Sequence, residues 1–180
     1  YNPDVIFCWS NGADAARVLN AIRARGWKQP FLTCDRAVTD EFVQIAGAKA
    51  EGVIAGYPWN PDRQDPKLDA FRAAFKARWG VEADTYSAHA YDAANMFIWA
   101  IQTVGLNRAK IRDVLAYRSE PFDGVTGLIP FSSALDDAGD VFLAIRENGK
   151  WVFHSREELG IPRGKVIEQT RRDREQAKAN

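Results

Sequence analysis

The chain has 180 residues, 46% hydrophobic and 27% charged, with 24 basic residues balancing 24 acidic ones. That is ordinary globular composition, enough for one real core or for parts of two. Zero net charge gives no pointer to nucleic acid or an anionic membrane surface, and no apolar run approaches a membrane span. The chain opens Tyr1-Asn2-Pro3-Asp4 without initiator methionine, basic n-region or apolar leader, and reads as the interior of a longer protein. Residues 4–9 are a continuous apolar strand of the kind buried on both faces of a parallel sheet. Asn11 caps the next helix, with Asp14 in its first turn near the positive helix end. Val18, Leu19 and Ile22 are its buried stripe, and Gly26 stops it. Residues 31–33 form a second strand. Thr39 caps a short helix carrying Phe42, Val43 and Ile45, ended by Gly47, and residues 52–57 form a third strand. This strand–helix alternation implies right-handed crossovers and an α/β fold with an open parallel sheet and flanking helices.

The next stretch breaks the alternation. Asp65-Pro66 opens a helix with the stripe Leu68, Phe71, Phe75 and Trp79, ended by Gly80. Asp84 caps a longer helix to about Val104, with Tyr91, Ala94, Phe97, Ile98 and Ile101 inside. Asn107 caps a third, burying Ile111, Val114 and Leu115. Trp79 and Trp99 read as core, Trp27 and Trp151 as packing. Three helices in a row need a sheet to cover, and the later strand candidates are only 127–131, 141–146 and 151–154. Asn148-Gly149 between the last two is a strong hairpin turn. From Arg156 the chain is strongly charged and reads as a frayed helix or disordered tail.

Catalytic signatures are missing from this sequence. It contains no G-x-G-x-x-G, Walker loop, G-x-S-x-G or C-x-x-C, and His89 and His154 are isolated, so no cofactor and no metal site is expected. Asp14 is explained by the helix dipole and Asp123 as a turn residue. Cys8 and Cys34 lie at the ends of successive strands. They read as small buried hydrophobes with free thiols, and a disulfide between them depends on geometry. Three strand ends do carry a pattern: Trp9-Ser10-Asn11, Cys34-Asp35-Arg36 and Tyr57-Pro58-Trp59-Asn60. In parallel neighbouring strands these clusters share one rim, where open α/β sheets bind ligands. The reading is binding, not catalysis.

Several ordered motifs carry a resemblance. They are Ala50-Glu51-Gly52-Val53, Asn60-Pro61-Asp62, Asp65-Pro66, Phe71 and Phe75 with Trp79-Gly80, Ala90-Tyr91-Asp92-Ala93, Phe122-Asp123-Gly124-Val125-Thr126-Gly127, Ile129, Phe131 and Gly139-Asp140. From Asp4 to Phe153 the chain resembles the second half of the branched-chain amino-acid (Leu/Ile/Val-type) substrate-binding proteins of ABC transporters. That resemblance implies the two-lobed type I periplasmic-binding-protein fold. Residues 1–59 would be a second-lobe segment, and 60–131 a hinge crossing with helices of the first lobe. Residues 132–155 would be the closing hairpin of the second lobe, and 156–180 the tail. It implies a periplasmic, non-enzymatic receptor that takes an amino acid or aromatic carboxylate. Its partners would be an ABC permease and the missing N-terminal half of the same protein or a second copy, with no nucleic acid.

The ligand-binding candidates are Trp9, Ser10, Asn11, Asp35, Arg36, Tyr57 and Trp59. Asp35 takes the place of the acid that holds the ligand's ammonium. The groups for the ligand carboxylate would lie mainly in the missing half. Arg36 stands where a glycine is common, and it either neutralises Asp35 or binds an anion as a planar fork. Trp9 and Trp59 make the rim more aromatic than a leucine pocket needs, and the stretch 132–138 is longer than the usual turn. The alternative reading is a ligand-sensing regulatory domain on the same fold, and a third is an enzyme using Cys8 or Cys34. Without the first half, Leu68, Phe71, Phe75, Tyr91, Phe97 and Ile101 would be exposed.

Overall fold

A computed structural model describes residues 3–132 and 134–161. In chain order the elements are β1 (Ile6–Cys8), α1 (Gly12–Ala24), β2 (Phe31–Thr33), α2 (Asp40–Ala46), β3 (Ile54–Tyr57), α3 (Pro66–Trp79), α4 (Thr85–Val104), α5 (Arg108–Ala116), β4 (Phe122–Asp123), β5 (Leu128–Ile129), β6 (Phe142–Glu147) and β7 (Lys150–His154). The chain divides into two compact units, 3–60 with 140–161, and 61–132 with 134–139.

The first unit is an α/β layer built on a mixed open sheet in the order β1-β2-β3-β6-β7. β1, β2 and β3 run parallel, with Cys8 opposite Thr33 and Thr33 opposite Ala55. β6 and β7 form an antiparallel hairpin, and β6 pairs antiparallel with β3. The hairpin turns on Asn148 and Gly149, both at positive φ, which suits the right-handed strand twist. Glu51 accepts hydrogen bonds from both turn amides, at 2.6 Å from Asn148 and 3.3 Å from Gly149. Ala15, Ala16 and Leu19 of α1 and Phe42 of α2 bury themselves against Phe31 and Val53, with Ile6 and Trp151 packed beside them.

Two expectations change here. Residues 4–9 are not a strand buried on both faces. β1 is only Ile6–Cys8, it ends the sheet, and Phe7 is 61% exposed because the core packs on the Ile6 and Phe31 side. Val18, read as part of the α1 stripe, is also exposed, while Leu19 is fully buried.

The second unit holds α3, α4 and α5 and a two-stranded antiparallel sheet of β4 and β5. Residues 127–131 thus yield a strand of two residues. Side chains of Asp65, Asp84 and Asn107 accept from backbone amides of Lys67, Ser87 and Lys110, so all three helices start on local caps. Asp84 and Ser87 form a reciprocal capping box. Gly80 ends α3 in the left-handed conformation.

Burial corrects the stripe reading. Leu68 and Phe71 are buried, Phe71 packing on Tyr91 with ring centroids 4.8 Å apart, so they are not exposed as expected. Trp79, expected in the core, is 63% exposed, and Tyr91, Phe97 and Ile98 are exposed as well. α5 has no buried residue. Helical spacing marks a face, and only a partner element buries it. The tail reading falls largely on residues 162–180, outside the described residues; 156–160 form a turn.

The caps are expected to make this unit acid-sensitive. A hydrogen bond from the Arg63 guanidinium holds the Asp65 carboxyl below the ordinary value of 3.8, against partial burial. At Asp84 burial pushes upward most strongly, but the hydrogen bonds from Ser87 and from the Asp84 and Tyr86 backbone together outweigh it, and the net direction is down. A carboxyl depressed in the folded state adds stability above its unfolded value and loses it as pH falls through the folded one. The urea midpoint is expected to fall as pH drops below the ordinary carboxyl value of 3.8, and the double variant Asp65→Asn, Asp84→Asn to flatten that fall. An unchanged slope would show that other groups govern it.

Candidate functional site

Parallel pairing puts the carboxyl ends of β1, β2 and β3 on one edge of the first unit. Three of the sequence clusters therefore meet there. Trp9 follows β1, is 68% exposed, and leans on Phe7 with ring centroids 5.8 Å apart. Ser10 is half-buried, and its carbonyl accepts from the Cys34 thiol at 3.3 Å. Asp35 opens a 3-10 turn, Asp35–Ala37, straight after β2 and is half-buried. Tyr57 ends β3 but is buried, packing on Phe153 at 5.0 Å. Trp59 is 3% exposed. The accessible candidates are thus Trp9, Ser10, Asn11, Asp35 and Arg36, while Tyr57 and Trp59 are buried.

Asn11 departs from its expected role. It occupies the N-cap position of α1 but makes no side-chain capping bond. Its Oδ1 accepts instead from Arg36 Nη1 at 3.3 Å. This link joins the loop after β1 to the loop after β2. Backbone packing joins them too: a Cβ on Gly12 would stand 2.8 Å from the Arg36 carbonyl oxygen and 3.1 Å from Thr39 Oγ1. Gly12→Ala is therefore expected to cost about 1–3 kcal/mol through overpacking, read as a lower thermal midpoint. A wild-type midpoint would mean that the two loops separate freely.

The Cys8 thiol is shifted away from nucleophilic activation. Cys8 and Cys34 are free thiols, and burial, then the neighbouring Cys34, pushes the Cys8 thiol upward. A reactive thiol needs the opposite shift. Among the described residues no group of His, Cys, Asp and Glu is placed to hold a metal ion, and no helix is long and apolar enough to cross a membrane.

Two of the sequence motifs meet in one polar centre whose role their spacing does not show. In the second unit Asp92 of α4 is 2% exposed. Its oxygens accept from Val125 N at 2.7 Å, Thr126 N at 2.8 Å and Thr126 Oγ1 at 2.7 Å. It anchors the Gly124–Gly127 turn between β4 and β5. A carboxylate within an apolar helix stripe was the available signal.

Comparison with known proteins gives a consistent result. The model of the family described as periplasmic binding protein matches residues 1–139. A Leu/Ile/Val-binding protein homolog of Brucella abortus is 26% identical over 149 residues, covering 82% of this chain and 38% of its own length. A leucine-binding protein of Thermotoga maritima superposes with a TM-score of 0.75 at 26% identity, over 86% of this chain and 44% of that one. A branched-chain amino-acid transporter substrate-binding protein of Streptococcus pneumoniae, in complex with isoleucine, gives 0.70 at 27% identity, over 84% and 44%. The chain spans less than half the length of these relatives.

Proposed function

The chain belongs to the periplasmic binding protein family, and on that premise we propose that it is part of the solute receptor of an ABC importer. The ligand is a small carboxylate-bearing molecule, an amino acid or an aromatic acid. It is held against the rim of the first unit and passed to a membrane permease from the periplasmic side. The remainder of the family fold supplies the opposing wall and completes the second unit.

The observation that carries this reading is Asp35. It stands half-buried at the end of β2, beside Trp9 and Ser10, and its side chain has no hydrogen bond or ion pair among the described residues. A carboxylate left unpaired at such a strand end suits a cationic group brought by a ligand. The relatives in which leucine or isoleucine is named are amino-acid binders, which fits an ammonium on Asp35. Ligand capture raises stability by mass action. Thermal-shift screening of the full-length protein against amino acids and aromatic acids is expected to give at least one clear rise in midpoint. A flat response across both classes would defeat the proposal.

A further inference from the structure

Arg118 stands half-buried just after α5, in the second unit. Its guanidinium carbon lies over the Trp99 ring of α4, 4.3 Å from the centroid, and over the Phe122 ring of β4 at 5.3 Å. Ring faces attract the cation but take none of its N–H donors, which need acceptors of their own. Nη1 is shut off from solvent and meets no acceptor among the described residues. Glu120 lines the same cleft, yet Arg118 makes no ion pair among the described residues. The cleft has a volume of about 260 Å³, part of it open to solvent, and its walls include Met96, Pro121, Ile129, Pro130 and Phe131.

A charged donor kept from water without an acceptor is costly, so the arrangement fits an anion. Size and charge narrow the choice. Pockets for whole ligands run to about 300–1,000 Å³, and this open cleft suits one planar group instead. Among the described residues that line it, Arg118 is the only cation, and Glu120 opposes a second negative charge. That favours a monoanion over a phosphate. A carboxylate is planar, and its two oxygens match the guanidinium fork. The apolar walls strengthen such a pair by lowering the local dielectric. We propose that Arg118 anchors a carboxylate site in the second unit, independent of the rim of the first. The carboxylate has two available sources with the same chemistry. One is an acidic side chain from the rest of the protein, since this chain spans less than half the length of its relatives. The other is a small free acid.

Two measurements on the full-length protein test it at neutral pH. One is a crystal structure grown without carboxylate buffers. The other is thermal unfolding in about 200 mM sodium acetate against matched sodium chloride. With a protein source, an aspartate or glutamate oxygen from outside this chain is expected within about 3.2 Å of Arg118 Nη1, and acetate leaves the midpoint at its chloride value. With a free acid as the source, acetate is expected to raise the wild-type midpoint by about 2 °C or more. Asp35→Asn keeps that rise. Arg118→Gln loses it, as does Arg118→Met, which retains an apolar stem on Trp99. Water or chloride alone at Nη1, with no response to acetate, would overturn the site. So would an ion pair with Glu120 in the crystal. A rise that the Arg118 variants retain and Asp35→Asn loses would also overturn it, and would assign the acetate to the rim.

Discussion

Gly124→Ala is expected to lower stability by about 3 kcal/mol and the thermal midpoint by about 6–12 °C. A Cβ at that position would stand 2.4 Å from Asp92 Oδ2, 2.5 Å from its Cγ and 2.8 Å from Oδ1. The glycine is there for close approach. Asp92 cannot retreat cheaply, because it is buried and three donors converge on it. Moving it strands the amides of Val125 and Thr126, and an unsatisfied buried donor costs about 1–3 kcal/mol. Asp92→Ala alone is expected to cost a similar amount. The two changes share one contact, so the double variant should be less destabilised than the sum. Strict additivity in urea unfolding would show that Asp92 does not hold the turn. Arg63 adds to the same arrangement by donating to the Val125 carbonyl and to Asp65, which ties the turn to the start of α3.

Asp35→Asn is expected to weaken ligand binding about ten- to a hundredfold while leaving the free protein's stability within about 0.5 kcal/mol. The asymmetry follows from the side chain's position. It is half-buried and makes no hydrogen bond within the described residues, so the fold loses nothing when its charge goes. A bound ammonium loses a charge-assisted bond worth about 1.5–3 kcal/mol. Calorimetric titration with the best ligand, paired with thermal unfolding of the free variant, separates the two effects. Unchanged affinity would remove Asp35 from the site. Unchanged affinity with a large fall in stability would make it a structural residue.

The parts of the fold that local chemistry determines were readable in the residues. Thr39, Asp65, Asp84 and Asn107 each cap the helix they were assigned, because each bond reaches only two or three residues along the chain. The Asn148-Gly149 turn and its hairpin came through for the same reason. Asn11 has the same cap chemistry, but Arg36, 25 residues away, takes its oxygen. Burial was less legible. Leu68 and Trp79 belong to one apolar stripe, yet one is fully buried and the other mostly exposed. Spacing does not say where the packing partner stops. At the rim, the sequence clusters fall on one edge of the sheet, as parallel pairing of β1, β2 and β3 requires. They did not distinguish Trp9, open to solvent, from Trp59, which is buried. Asp92 and Gly124, 32 positions apart, make sense only once α4 lies against the turn.

A crystal structure of the full-length protein with its tightest-binding ligand tests most directly whether a ligand's ammonium sits on Asp35 at the carboxyl end of β2. The expected result is a ligand amine within about 3 Å of the Asp35 carboxylate. A ligand bound away from this rim, or an Asp35 facing only water in the complex, would contradict it.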